Sequence, residues 1–336
     1  MLRLSTTYFS ASLLLLAAMS APAEAQRDYS RVQLREQLRQ TSAKMQANQE
    51  KQGKPEKRAK ADKGDKDEKA EKSASSNDKM QFAHDIAYGK DPLQKLDIYS
   101  PRGAETLPVV LFVHGGGWRI GDKESPAHQN KGSAFSANGV VLVSTNYRLS
   151  PAVKHPAHVE DVAAACDWVH DNIKKYGGDP DKIYLMGHSA GAHLVLLLAT
   201  NDRFIQEHKM NLRQISGVIS LDTASLDLLD RIESQAGNKE MYEQAFGHDP
   251  KTLTDASPTL NIHKGKDYPP FLMFCSAKRR GAIAQHEKFI STLKSAGGDV
   301  TFQTVPLSHA AINQVAGKPD SEIFKKSLSF VKQIKQ

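Results

Sequence analysis

The chain has 336 residues, 39% hydrophobic and 25% charged, with a formal net charge of +7. That length accommodates a leader, a tail and one large domain. Residues 26–80 carry 15 Lys/Arg against 10 Asp/Glu, so most of the net positive charge lies in a segment whose one aromatic is Tyr29. A base-stacking nucleic-acid surface is thereby disfavoured. Two cysteines, Cys166 and Cys275, make no disulfide framework and read as buried free thiols.

In chain order, residues 1–25 read as a secretory signal. Arg3 marks the basic start, "ASLLLLAAM" is an apolar run too short to span a bilayer comfortably, and Ala23-Glu24-Ala25 supplies the small residues of a cleavage site. The expectation is an exported protein, periplasmic or secreted, with no integral membrane span after signal cleavage. Residues 26–80 are a charged linker: a short helix with Leu34, Leu38 and Met45 on one side, then a Lys/Asp/Glu/Ala/Ser run with nothing to bury. That run is expected to be disordered, as a solvated spacer or a tether to an anionic envelope surface.

Residues 81–336 form the expected folded domain. "LQKLDIYSP" alternates like an outer strand, and "LPVVLFV", "GVVLVSTNY", "KIYLM", "ISGVISL", "PPFLMFCS" and "VTFQTVPL" are apolar strand signals. Amphipathic helical runs lie between most of them, so the fold class is α/β, a mostly parallel sheet covered on both faces. Residues 223–268 carry no strand signal and form an excursion above the sheet.

The strongest chemical signal is GHSAG, residues 187–191, between the strand KIYLM and the helix AHLVLLLA. A Gly-x-Ser-x-Gly turn in that context holds a serine outward above the sheet, making Ser189 the candidate nucleophile. HGGGW, residues 114–118, follows a buried strand, where glycines let backbone N–H groups face a developing oxyanion. Gly116, Gly117 and Ala190 are the candidate donors, while Trp118 and His188 are expected to shape the substrate pocket. His309, just beyond the last strand, is the candidate general base. His248, His263 and His286 read as surface residues, and His155, His158, Glu160 and Asp161 read as a helix start rather than a metal site.

HGGGW, GDK (121–123), NYRLSP (146–151), HPAHVEDV, YGGDPDKI, GHSAGAHL, DASP (255–258) and SHAAIN keep one order over residues 83–334. In these the chain resembles the α/β-hydrolase-fold carboxylesterase family, in its feruloyl-esterase-like and kynurenine-formamidase-like branch. The resemblance implies a Ser189–His309–acid triad, an oxyanion hole at Gly116, Gly117 and Ala190, a small-molecule ester substrate, and no metal or organic cofactor. It implies structural roles for Asp122, Arg148, Asp161 and Asp179. The chain departs from the family at the acid, since many relatives carry Asp after the strand equivalent to PPFLMF and this chain has Ala277-Lys278-Arg279-Arg280.

Carboxyl ends of neighbouring strands open on one crevice. Asp222, ending the preceding strand, is therefore the first choice for the acid and Asp227 the second, with Asp255, Asp320 or a Ser–His dyad as alternatives. Lys278, Arg279 and Arg280 read as a solvated loop or a basic rim favouring acidic substrates. The expected function is a serine carboxylesterase acting on small or aryl esters through an acyl-enzyme. The alternatives are an amidase, formamidase or peptidase on the same triad, or a non-catalytic envelope binding protein. Oligomeric state is not legible.

Overall fold

The computed structural model describes residues 80–234 and 239–333. The expected signal peptide, helix and charged tail lie outside the described residues. Along the chain run β1 (Met80–Ala87), β2 (Lys95–Pro101), β3 (Leu107–Val113), α1 (Pro126–Ala137), β4 (Val141–Thr145), α2 (Ala157–Asn172), β5 (Gly178–His188), α3 (Ala190–Thr200) and α4 (Arg203–Gln206). There follow β6 (Ile215–Leu221), α5 (Leu228–Ser234), α6 (Lys239–Phe246), α7 (Pro250–Asp255), β7 (Phe271–Ser276), α8 (Arg280–Ser295), β8 (Val300–Val305), α9 (His309–Val315) and α10 (Glu322–Lys332).

The strands make one eight-stranded sheet in the order β1-β2-β4-β3-β5-β6-β7-β8. β1/β2 and β2/β4 pair antiparallel, and every other pair is parallel. This is the expected α/β architecture with one correction. β2 is not the outer strand: the partly exposed β1 pairs along it and leaves β2 largely buried. β1 escaped the sequence reading because MQFAHDIA lacks the apolar run of an inner strand.

Alternation along β3 explains the two cores. Val109, Leu111 and Val113 face one layer with α2, α3 and α8, whereas Val110 and Phe112 face the other with α1, α9 and α10. Helix α2 buries Val159, Val162, Ala163, Cys166 and Val169, the 3.6-residue stripe expected of it. After a 3₁₀ turn the chain breaks at Gly177, where φ is 80°. Helix α3 is buried on every side, as its AHLVLLLA run requires. Cys166 and Cys275 are free and buried, and burial pushes both thiols up to about 12. Among the described residues, 223–268 holds helices and no strand, and no helix is long and apolar enough to cross a membrane.

One buried charge cluster ties the antiparallel edge to the loop after β3. The Lys123 ammonium lies 2.9 Å from Asp97, 3.0 Å from Asp85 and 2.8 Å from Glu124. Among the described residues these three carboxylates are the one acidic group compact enough to hold a metal ion, and the lysine nitrogen already bonds all three. Asp97 is fully buried, so removing the cation leaves an uncompensated carboxylate. Lys123→Met should cost about 3–5 kcal/mol in urea denaturation. Lys123→Met with Asp97→Asn should recover part of that loss; strictly additive losses would contradict the pairing.

Candidate active site

Ser189 sits between β5 and α3 with φ 56° and ψ −115°, a strained turn that only its surroundings can hold. Those surroundings leave no space. A Cβ on Gly191 would lie 2.1 Å from the Val113 carbonyl oxygen, and one on Gly187 would lie 2.3 Å from that of Gly191. The Ser189 N–H donates to the Leu221 carbonyl (3.0 Å), fixing the turn to the end of β6.

His309 opens α9, capped by Ser308, whose hydroxyl accepts the Ala311 N–H at 3.3 Å. Its Nε2 lies 2.9 Å from Ser189 Oγ and its Nδ1 2.7 Å from Asp222 Oδ2. Asp222 follows β6 with φ 54° and no exposed surface. Its backbone N–H donates to Phe274 (2.8 Å), and its Oδ1 accepts the Ser276 N–H (3.2 Å). The carboxylate thus bridges the ends of β6 and β7. With Nδ1–H donated to Asp222, Nε2 is left as the acceptor facing Ser189.

The structure therefore brings Ser189, His309 and Asp222 into one hydrogen-bonded line and leaves the other acids out of it. Asp227 Oδ2 is 2.7 Å from Lys288 Nζ. Asp255 binds Arg203, Asn201 and His155, and Asp320 is exposed.

Of the basic triple, Lys278 and Arg280 are exposed as a solvated loop would be, but Arg279 turns inward. Its Nη1 is 2.9 Å from Asp222 Oδ2, 3.2 Å from the Asp222 carbonyl oxygen and 3.0 Å from His309 Nδ1. Nη1 and Nδ1 are two donors side by side on one carboxylate. Burial alone would raise the Asp222 pKa. The hydrogen bond with His309 and the charge of Arg279 outweigh burial and hold the carboxyl well below the usual range.

The HGGGW loop leaves β3 through backbone only glycine adopts easily, with φ 119° at Gly116 and 61° at Gly117. A Cβ on Gly116 would fall 1.8 Å from the Ile120 carbonyl oxygen. His114 braces the loop from beneath: its Nδ1 bonds the Gly115 carbonyl (2.7 Å) and its ring stacks on Tyr147 at 4.6 Å. Trp118 is buried against Phe246 and His193 at ring distances of 4.8 and 5.2 Å.

A cavity of about 230 Å³ opens on Ser189 and His309, walled by Gly117, Trp118 and Ala190 and, from the excursion, Met241 and Tyr242. Gly116 and His188, both expected at the site, do not line this cavity. His188 instead packs its ring 4.5 Å from that of His309 and bonds the His309 carbonyl (3.1 Å) through Nε2.

The HPAH segment holds no metal geometry. His155 bonds Asp255, His158 bonds Ser150 Oγ (3.0 Å), and Asp161 pairs with Arg148. Asp122 caps its own turn and Asp179 pairs with Lys182, structural roles of the kind the family motifs imply. His248 and His263 are exposed, but His286 is not a surface residue. It is fully buried with its ring stacked on Phe302 at 5.1 Å, because it falls on the inner stripe of α8 with Ala282, Phe289 and Leu293.

Sequence reasoning also missed Lys131. This lysine of α1 is fully buried and donates to Asn313 O (2.6 Å), Asn313 Oδ1 (2.8 Å) and Ala127 O (3.2 Å), tying α1 to the helix that carries His309. Burial pulls it down to about 7. A lysine in a polar helix without an apolar stripe gives no sequence signal of this kind.

Burial pushes His128, His158, His188 and His193 down to about 3 and His286 to about 4. These imidazoles stay neutral in the folded protein through mild acid, whereas in the unfolded chain they protonate near about 6.5. The unfolded state therefore binds more protons below that pH, and folding stability falls as pH falls. The unfolding free energy from urea denaturation should drop between pH 7 and 5.5 by several kcal/mol in all, on the order of 1.4 kcal/mol per histidine at the lower pH. A flat profile over that interval would contradict the neutral buried histidines.

The BD-FAE family model matches residues 96–289. Esterase LipQ of Mycobacterium tuberculosis is 32% identical over 251 residues, 65% of this chain and 57% of that protein. Esterase LipC of the same organism is 30% identical over 200 residues, 56% of this chain and 49% of that protein, so the chain spans about half the length of these curated relatives. The solved structure of esterase B from Lactobacillus rhamnosis superposes with a TM-score of 0.62 at 20% identity, covering 80% of this chain and 94% of that one, a likeness of fold. With its family model matched across the sheet from β2 to within α8, this chain belongs to the BD-FAE family, on an α/β-hydrolase fold.

Proposed function

We propose that this protein is a serine carboxylesterase acting on small or aryl esters through an acyl-enzyme, exported as its N-terminal segment suggests. The observation that carries the reading is the line Ser189 Oγ–His309 Nε2 (2.9 Å), His309 Nδ1–Asp222 Oδ2 (2.7 Å), at a cavity of about 230 Å³. The esterase names of the relatives LipQ and LipC support it.

In this reading Ser189 Oγ attacks the ester carbonyl as its proton passes to His309 Nε2. The tetrahedral oxyanion is met by the backbone N–H groups of Ala190, at the start of α3, and of Gly117, in the loop that Gly116 shapes. His309 then protonates the departing alcohol, and a water deprotonated by the same Nε2 releases the acid. Asp222 stays ionised throughout, fixing the imidazole tautomer and stabilising the imidazolium. The Arg279 charge and the His309 hydrogen bond keep it ionised although it is buried.

A fluorophosphonate probe should label the protein, and Ser189→Ala should abolish both labelling and p-nitrophenyl acetate hydrolysis. An unlabelled wild type that turns over no ester would reject the enzymatic reading. Asp222→Asn should lower kcat by about 10³–10⁴-fold, the scale seen when a triad acid is neutralised. Near-wild-type turnover would remove Asp222 from the mechanism.

A further inference from the structure

The cavity beside Ser189 carries two guanidinium groups, Arg279 and Arg231, and among the described residues no Asp or Glu lines it. Among the described residues Arg279 bonds through Nη1, on Asp222 and against His309. Its Nε and Nη2 donors have no partner among the described residues, and its side chain is 29% exposed in the cavity wall. Holding the Asp222 carboxylate occupies one edge of the fork. The other donors remain, and a guanidinium fork matches a carboxylate or phosphate in geometry as well as in charge.

Arg231 comes from α5 in the excursion and is nearly buried. Its Nε donates to Tyr242 Oη (3.1 Å), which in turn lies 3.1 Å from Ser225 Oγ. All three residues line the same cavity, so one side of it is a polar, cationic surface enclosed by protein. In such a low-dielectric enclosure an anionic group is attracted more strongly than at an open surface.

Resting on the esterase reading, we propose that the site selects an ester bearing a negatively charged group, a carboxylate or phosphate on its acyl or its alcohol part, held by Arg279 and Arg231. Arg279 thereby has two roles, keeping Asp222 ionised on one edge and recognising the substrate's anion on the other. The guanidinium beside Asp222 and His309 then serves the triad and the substrate from one position.

Two matched pairs test it. On the acyl side, p-nitrophenyl hydrogen glutarate is compared with p-nitrophenyl 5-methylhexanoate, in which an isopropyl group replaces the carboxylate. On the alcohol side, 4-acetoxybenzoate is compared with 4-acetoxybenzamide. After correction for alkaline hydrolysis rates, kcat/KM for the anion should exceed that for the neutral partner by at least about tenfold in one pair. The ratio should fall toward one in Arg279→Gln and in Arg231→Gln, recover in part in Arg231→Lys, and shrink in high salt. Neutral esters turned over equally well or better in both pairs would overturn the proposal and leave the esterase reading intact.

Binding separates the two readings when nothing is turned over. On Ser189→Ala protein, calorimetric titration with glutarate and with inorganic phosphate should show binding of at least one anion. That binding should weaken at least about tenfold in a folded Arg279→Gln or Arg231→Gln background. No binding of either anion, or affinity unchanged by both substitutions, overturns the proposal whatever the fate of the esterase reading.

Discussion

The site depends on one buried carboxylate. Asp222 has no exposed surface, yet it accepts from the Ser276 N–H and meets His309 Nδ1 and Arg279 Nη1 on its other oxygen. A buried charge is tolerable when such partners repay its desolvation. These partners come from the end of β7, the loop after it and the start of α9. The same group therefore sets the charge at the site and the relative placement of three segments. Its left-handed backbone, φ 54°, is strain that the surrounding hydrogen bonds hold.

Around it the parallel sheet supplies position. β3, β5 and β6 end together, so the glycine loop, the Ser189 turn and Asp222 meet at one edge of adjacent strands. The Ser189 N–H on the Leu221 carbonyl makes this a direct bond rather than mere proximity. Tight backbone contacts at Gly187 and Gly191 then leave the serine a single place to be. Near the site, His114, His188 and the buried Lys131 add polar groups whose hydrogen bonds reach the Gly115 carbonyl, the His309 carbonyl and Asn313 of α9. The buried neutral histidines of the domain connect folding stability to pH without taking part in the proposed chemistry.

Much of this was legible in the sequence, for identifiable reasons. The strand–GHSAG–helix context located the Ser189 turn because that turn tolerates few residues. Strand-end logic brought Asp222 forward as first choice because neighbouring parallel strands must open on one crevice, and the structure places its carboxylate 2.7 Å from His309. What stayed hidden depends on side-chain direction. Arg279 is flanked by two exposed basic residues, and nothing in Lys-Arg-Arg says which one turns inward. His286 and Lys131 were hidden in the same way: a polar residue on the inner face of a helix looks like one on the outer face until the partners are known. β1 was missed because an edge strand need not be apolar.

The central claim is that Ser189, activated through His309 and Asp222, carries the acyl group. It is tested most directly by acid-quenching the protein within milliseconds of mixing with p-nitrophenyl acetate and mapping the modification by peptide mass spectrometry. The account predicts an acetyl group on Ser189 that forms with a burst of p-nitrophenolate and disappears as turnover completes. Rapid turnover with no acetyl group on Ser189, or an acetyl group on another residue that turns over at the catalytic rate, would contradict it.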